Sequence, residues 1–318
     1  MHSSKSLNRR DFGKAVAGFS VAAAAGSTFL SAAERKMTID LVCGAIGVGA
    51  NQVEAIDLAS RYGFESVGAD VGNLTRMSSA ERKSVVALLK EKGLVFGAAG
   101  LPVEFRRDEE KFKADLSNLP AACQALQEVG VTRVGTWIMP NHATLTYREN
   151  FRLHLTRLKE VALILNDHGL RFGMEYVGPR TLWSSLRYSF IHTMAEANEL
   201  IAEIRMPNVG LVLDSWHWYT AQETEADLLS LSNEDVVAVD LNDAPAGIEV
   251  AQQVDSKRRL PTATGVIDVA TFLKALVKIG YDGPVRAEPF DATLREMEDE
   301  KAVAETAAAM KKAFSLIA

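Results

Sequence analysis

From Met37 onward, short apolar runs rich in Val, Ile, Ala and Gly alternate eight times with longer stretches in which apolar residues recur every three or four positions. The first pattern predicts buried strands and the second predicts amphipathic helices packed on them. Strands are expected over 38–44, 66–70, 95–100, 133–139, 171–176, 209–214, 236–241 and 284–288. Helices are expected over 52–62, 79–92, 108–129, 147–168, 193–204, 223–231, 269–279 and 294–317. Gly63, Gly93, Gly130, Gly169 and Gly280 each stand where a helix should stop before a strand begins. Eight strand and helix pairs predict an α/β fold, a (β/α)8 TIM barrel of parallel strands spanning 34–318.

In such a barrel the chemistry sits at the C-terminal strand ends. Four of the later runs end in a carboxylate: Glu175 in Phe-Gly-Met-Glu, Asp214 in Gly-Leu-Val-Leu-Asp, Asp240 in Val-Val-Ala-Val-Asp, and Glu288 in Pro-Val-Arg-Ala-Glu. Four buried carboxylates meeting at one mouth repel one another unless a cation sits among them. An oxygen-rich set of this kind favours Mn²⁺ or Mg²⁺ over Zn²⁺. The longest irregular stretch, 242–266, carries Pro245, Gly247, Pro261 and Gly265 and is placed to cover a bound molecule.

The 47% hydrophobic content suffices for one large core. A formal charge of −6 argues against nucleic acid as a partner, and no Lys/Arg run in the body suggests a face that tracks phosphates. Residues 1–33 read differently. Asn8-Arg9-Arg10-Asp11-Phe12-Gly13-Lys14 precedes a mildly apolar, Ala-rich stretch, and Ser31-Ala32-Ala33 offers small residues for cleavage. The segment resembles a twin-arginine export signal, although Asn8 and Gly13 replace the usual Ser/Thr and Leu. The expectation is a precursor handled by the twin-arginine machinery and delivered to a periplasm or cell envelope. Removing Lys5, Arg9, Arg10, Lys14 and Asp11 takes a net +3 away and leaves a distinctly acidic body. The two cysteines, Cys43 and Cys123, lie in apolar patterns and are expected as buried thiols.

The segments around Glu175, Asp214-Ser-Trp-His217, Asp240-Leu-Asn242-Asp243, Arg259-Leu-Pro261 and Arg286-Ala-Glu288-Pro-Phe290 resemble the sugar phosphate isomerase/epimerase family of xylose isomerase-like barrels. The resemblance implies one divalent metal held by Glu175, Asp214, Asp240 and Glu288. It also departs from the family, which usually has His where this chain has Asp240. Glu175 and Glu288 are implied as the catalytic pair that removes and returns a proton beside a carbonyl through an enediolate. Among the substrate-binding candidates, His217 and Arg259 rest on the resemblance, with Arg258 equally placed. Trp137 and Trp216 are candidates because aromatic faces stack on sugars.

The implied activity is a metal-dependent isomerase or epimerase acting on a small carbohydrate. The same first step also serves a keto-glycoside lyase or hydrolase, and a degenerate barrel would serve a non-catalytic sugar-binding protein. The resemblance also allows a homodimer. No GxGxxG, Walker or Gly-x-Ser-x-Gly motif competes with this reading.

Overall fold

The structure, a computed structural model, describes residues 35–318. The reading of residues 1–33 as an export signal lies outside them. Eight strands form the barrel: β1 Thr38–Leu41, β2 Ser66–Ala69, β3 Val95–Gly100, β4 Arg133–Trp137, β5 Arg171–Glu175, β6 Val209–Asp214, β7 Val236–Leu241 and β8 Pro284–Ala287. Every neighbouring pair is parallel, and β8 closes on β1 with Thr38 beside Pro284 and Asp40 beside Arg286. The strands end close to where the apolar runs end, and β5 and β6 stop at the acidic residues Glu175 and Asp214.

Local chemistry explains the helix boundaries. Asn51, Ser78 and Thr146 each accept from backbone N–H groups of the helix they open and are answered by Glu54, Glu81 and Glu149. All five predicted stop glycines adopt positive φ, between 66° and 81°. The helix Val269–Lys278 buries Val269, Phe272, Leu273, Ala275 and Leu276 on one face. Each large side chain buried there contributes about 1.5–3 kcal/mol. Cys43 and Cys123 are both buried and unpaired.

Three expectations change. The run 38–44 is strand only to Leu41, after which Cys43–Ile46 forms a 3-10 turn that ends at Gly47 with φ 83°. The helix expected over 294–317 is two, Ala292–Arg295 and Asp299–Phe314. Asp299 and Glu300 favour a fresh helix start there. The helix expected over 223–231 is only Glu225–Leu229, because Thr224 and Asp227 form a capping box that fixes its start. Among the described residues no helix is long and apolar enough to cross a membrane.

Candidate active site

Strand register brings the charges into one layer. Across β6, β7, β8 and β1, Asp214 lies beside Asp240, Asp240 beside Arg286, and Arg286 beside Asp40. Partners in adjacent parallel strands point to the same side, so four ionisable residues share one level of the barrel. Glu175 closes β5 and Glu288 follows β8 by one residue. One carboxylate oxygen from each of Glu175, Asp214, Asp240 and Glu288 lies within 4.8 Å of the others. The four side chains named from the strand ends therefore converge.

Two arginines share the space. Arg258, 2% exposed, donates from Nη1 to Asp214 Oδ2 at 2.6 Å and to Glu288 Oε2 at 3.0 Å, and from Nη2 to Asp255 at 2.9 Å. Arg286 donates from Nε to Asp240 Oδ1, from Nη2 to Asp240 Oδ2 at 2.9 Å, and from Nη2 to Glu288 Oε1 at 3.3 Å. Burial works against both guanidinium charges, and the surrounding carboxylates more than offset it. Arg259, the guanidinium favoured from the sequence, is 40% exposed and stands 3.6 Å from Asp291. It pairs through its backbone with Asp243 in an antiparallel bridge, which turns neighbouring Arg258 into the barrel.

Burial, then the neighbouring acids Glu288, Asp240 and Asp214, pushes the Glu175 carboxyl well above the usual carboxylate range. Burial likewise raises Asp214 to about 7, against the pull of Arg258, and raises Glu288. Asp40, also buried, is pushed up to about 6. Glycine makes room for it: a Cβ on Gly97 would stand 2.4 Å from the Asp40 carboxylate.

Asp214 also opens the helix Ser215–Thr220, accepting from the Trp216 N–H at 2.7 Å. That turn carries His217 inward, where it is fully buried and held neutral by burial first and by Arg258 second. Its Nδ1 accepts from the Gly178 N–H at 3.2 Å, a close backbone approach that a Cβ on Gly178 would block by meeting the His217 carbonyl at 2.7 Å. A second donor, Arg258 Nη2, faces Nε2, and a neutral imidazole accepts at one nitrogen only, so the tautomer follows whichever donor the ring takes at Nδ1 or Nε2. Nε2 lies 3.7 Å from Asp214 Oδ2, 3.8 Å from Glu175 Oε1 and 3.2 Å from Arg258 Nη2. With the proton on Nε2 the ring accepts from Gly178, and with it on Nδ1 the ring accepts from Arg258.

Asn242 ties the strands together. Its Nδ2 donates to Asp214 Oδ1 at 2.8 Å, and its Oδ1 accepts from the Glu288 N–H at 3.1 Å. Asp243 does other work, accepting from the N–H groups of Ala244, Thr264, Gly265 and Ile267 and so shaping the long loop after β7.

A cavity of about 290 Å³ at this level is lined by Asp40, Arg106, Trp137, Glu175, Arg286 and Glu288 among others and reaches Val212 and Ala238 deeper in the barrel. Trp137, 40% exposed, forms part of its wall. Trp216 does not: it is fully buried, with its ring 5.7 Å from the Arg258 guanidinium. Trp183 stacks on His192, and Trp218 packs against Phe272. Reasoning from the strand ends missed Asp40, Arg106 and Arg286. The Arg286 signal was present, since an arginine two residues before a mouth carboxylate in a strand faces the same way as that carboxylate.

A family model described as xylose isomerase-like TIM barrel matches residues 56–313. The chain belongs to that family. The solved xylose isomerase domain protein of Alicyclobacillus acidocaldarius is 31% identical, with a TM-score of 0.77 over 88% of this chain and 99% of that one. The inosose isomerase of Bacillus subtilis is 23% identical over 198 residues, covering 62% of this chain and 68% of the relative. The ketose 3-epimerase of Arthrobacter globiformis is 29% identical over 131 residues, covering 41% of this chain and 38% of the relative.

The cluster fits a divalent cation. Four carboxylates and two guanidinium groups leave a formal excess of two negative charges, and Glu175 Oε1 is buried without a hydrogen-bond partner. Arg286 engages both oxygens of Asp240, two arginines share those of Glu288, and both of Asp214 accept hydrogen bonds, so of the four only Glu175 has a buried oxygen without a partner. Replacing Arg286 with methionine leaves a fully buried aspartate without its cation. Arg286 keeps 32% of its side chain exposed. The expected loss is therefore about 3 kcal/mol, the low end for a broken buried pair. Chemical denaturation measures it, and Asp240→Asn combined with Arg286→Met should recover part of the loss.

Proposed function

We propose that this chain is a divalent-metal-dependent isomerase or epimerase of a sugar or polyol-derived ketone. The supporting observation is that Glu175 and Glu288 line one cavity beside an oxygen cluster suited to a cation. Glu175, Asp214 and Glu288 would hold the metal, with Asp240 completing the set by one oxygen or acting through Arg286. The oxygen donors favour Mn²⁺ or Mg²⁺. When bound, the cation supplies Lewis-acid polarisation of a carbonyl and stabilises negative charge on oxygen.

The chain's own residues do the rest. Glu175, with its pKa raised by burial, takes the proton from the carbon beside the carbonyl. Glu288 returns a proton: to the same carbon for epimerisation, to the neighbouring carbon for isomerisation. His217 is the proposed contact to a substrate oxygen, and Arg258 holds Asp214 and Glu288 in place while balancing charge. Trp137 offers an aromatic wall to the apolar face of the ring. The role assigned to Arg259 from the sequence passes to Arg258.

Solvent exchange tests the reading. In deuterium oxide with Mn²⁺, the chain should place deuterium on the carbon beside the carbonyl of a ketose or inosose, read by proton NMR. Sugar binding that survives chelation, with no exchange into any ketose or inosose tried, would instead identify a binding protein.

Export is a second part of the proposal and rests on residues 8–14 and 31–33. With Arg9→Lys and Arg10→Lys together, the precursor should remain in the cytoplasm of a host that has the twin-arginine machinery. Unchanged fractionation of that double variant would overturn the assignment.

A further inference from the structure

Arg286 divides its guanidinium between structure and open space. Nε and Nη2 bind Asp240, and Nη2 also reaches Glu288 at 3.3 Å, so one side of the group is fixed by acids. Nη1 makes no hydrogen bond among the described residues and is not one of the buried polar atoms left without a partner, so it keeps accessible surface. The side chain is 32% exposed although the residue stands on β8 level with Asp240 and Asp40. At that place the only surface to expose is cavity surface. Arg286 lines two such spaces, the mouth cavity and a second of about 380 Å³ at the ends of β1, β2 and β3.

The two spaces adjoin, since Ala98, Gly100 and Arg286 line both. The second is walled mostly by small residues, with Gly44, Gly49 and Ala50 among them. Nothing in the proton-transfer scheme uses it.

Charge decides what Arg286 can take there. Asp40, Glu175 and Glu288 line the mouth cavity with Arg106 and Arg286, and Arg106 already stands 3.3 Å from Glu104. In the second cavity Asp70 is the one acid, and it accepts from the Asn73 N–H at 2.9 Å. The charge of Arg286 is itself met by Asp240 and Glu288. No surplus of positive charge is left for an anion, and a phosphate or carboxylate at Nη1 would be held close to those two acids. A hydroxyl oxygen accepts from Nη1 without adding charge.

We propose that Arg286 selects the substrate: Nη1 donates to the terminal hydroxyl of an uncharged ketose whose carbonyl end lies by Glu175 and Glu288 and whose arm runs toward the second cavity. The inference rests on the proposed sugar chemistry at the mouth and narrows its substrate class to unphosphorylated, uncharged ketoses. The two sides of one guanidinium then do different work. The bonds to Asp240 fix its plane and so aim Nη1, and a donor held in place beforehand loses little freedom when the ligand arrives.

The purified chain with Mn²⁺ is titrated by calorimetry with D-fructose, D-tagatose and D-psicose, then with the 6-deoxy form and the 6-phosphate of whichever binds best. The 6-deoxy sugar should bind about ten-fold more weakly than its parent, as for the loss of one hydrogen bond to a charged donor. The 6-phosphate should also bind more weakly than the parent. Arg286→Lys keeps a cation beside Asp240 but has no second corner to offer, so it should bring the parent and 6-deoxy sugars level. Overturning results are a 6-deoxy sugar as tight as its parent, a 6-phosphate as tight or tighter, or a 6-deoxy penalty that survives in Arg286→Lys. Binding of an inosose with no ketohexose bound overturns it too, since a closed ring has no arm. Deuterium exchange by the wild-type chain into a ketose or inosose, seen alongside any of these results, keeps the mouth chemistry and removes only this role of Arg286.

Discussion

Glu175→Gln is expected to slow solvent exchange into a ketose by about 10²–10⁴-fold, the range for removing a positioned proton-transfer group. Glutamine matches the shape of glutamate and cannot take up the proton. Glu175 is buried, has an oxygen without a partner, and is held above the ordinary carboxylate range by its surroundings. Because it is one of four acids crowded within 4.8 Å, a permanently neutral group of the same shape should leave the metal-free fold as stable as before or more so. Activity and stability thus move in opposite directions, which separates a chemical role from a structural one. Glu288→Gln should slow exchange likewise, but because Glu288 accepts from both Arg258 and Arg286 it should lose stability as well. Unchanged exchange in both variants would remove the proton-transfer scheme.

Arg258→Met is expected to cost about 3–5 kcal/mol of stability, the range for stripping one partner from a buried ionic cluster. The guanidinium is buried and holds Asp214, Glu288 and Asp255 directly, so its loss leaves three carboxylates short of a cation. Arg259→Met should change stability by less than about 0.5 kcal/mol, as for an ordinary exposed site. Adjacent arginines with opposite consequences make a stringent comparison. Arg258→Lys should recover charge without the forked geometry and fall between the two. Equal effects at 258 and 259, read from denaturant midpoints, would contradict the placement of Arg258.

Metal and protons compete for the same oxygens. Without metal, Asp214 at about 7 and the raised Glu175 and Glu288 hold protons in the folded chain that the unfolded chain has already released. The unfolded state therefore binds fewer protons, and stability falls as pH rises from the ordinary carboxylate range of about 4 through about 7. A divalent cation prefers the ionised oxygens, so its stabilisation should grow over the same interval. Thermal melts with and without Mn²⁺ at pH 5.5 and 8 should show the larger shift at pH 8.

The barrel was legible because apolar runs alternate with helical patterns eight times, four of the later runs ending in a carboxylate, and because five glycines mark the helix stops. Glu175, Asp214, Asp240 and Glu288 were legible for the same reason: a strand end in a parallel barrel has only one place to point. What escaped was pairing between strands. That Asp240 lies beside Arg286, and Arg286 beside Asp40, follows from register, which one strand's sequence does not contain. The choice between Arg258 and Arg259 turned on a single bridge, Asp243 to Arg259, formed across the fifteen residues between them. Trp216 illustrates the opposite error. Its position beside a mouth aspartate suggested ligand contact, but the helical turn that brings His217 inward sends the indole into the core.

The most direct measurement is metal content and metal binding of the purified chain, by elemental analysis and by calorimetry after chelation. The account predicts about one equivalent of Mn²⁺ or Mg²⁺ per chain, lost on Asp214→Asn, with Asp240→Asn weakening it less. A wild-type chain that binds no divalent cation, or whose binding is indifferent to Asp214→Asn, would contradict a cation-centred cluster at the barrel mouth.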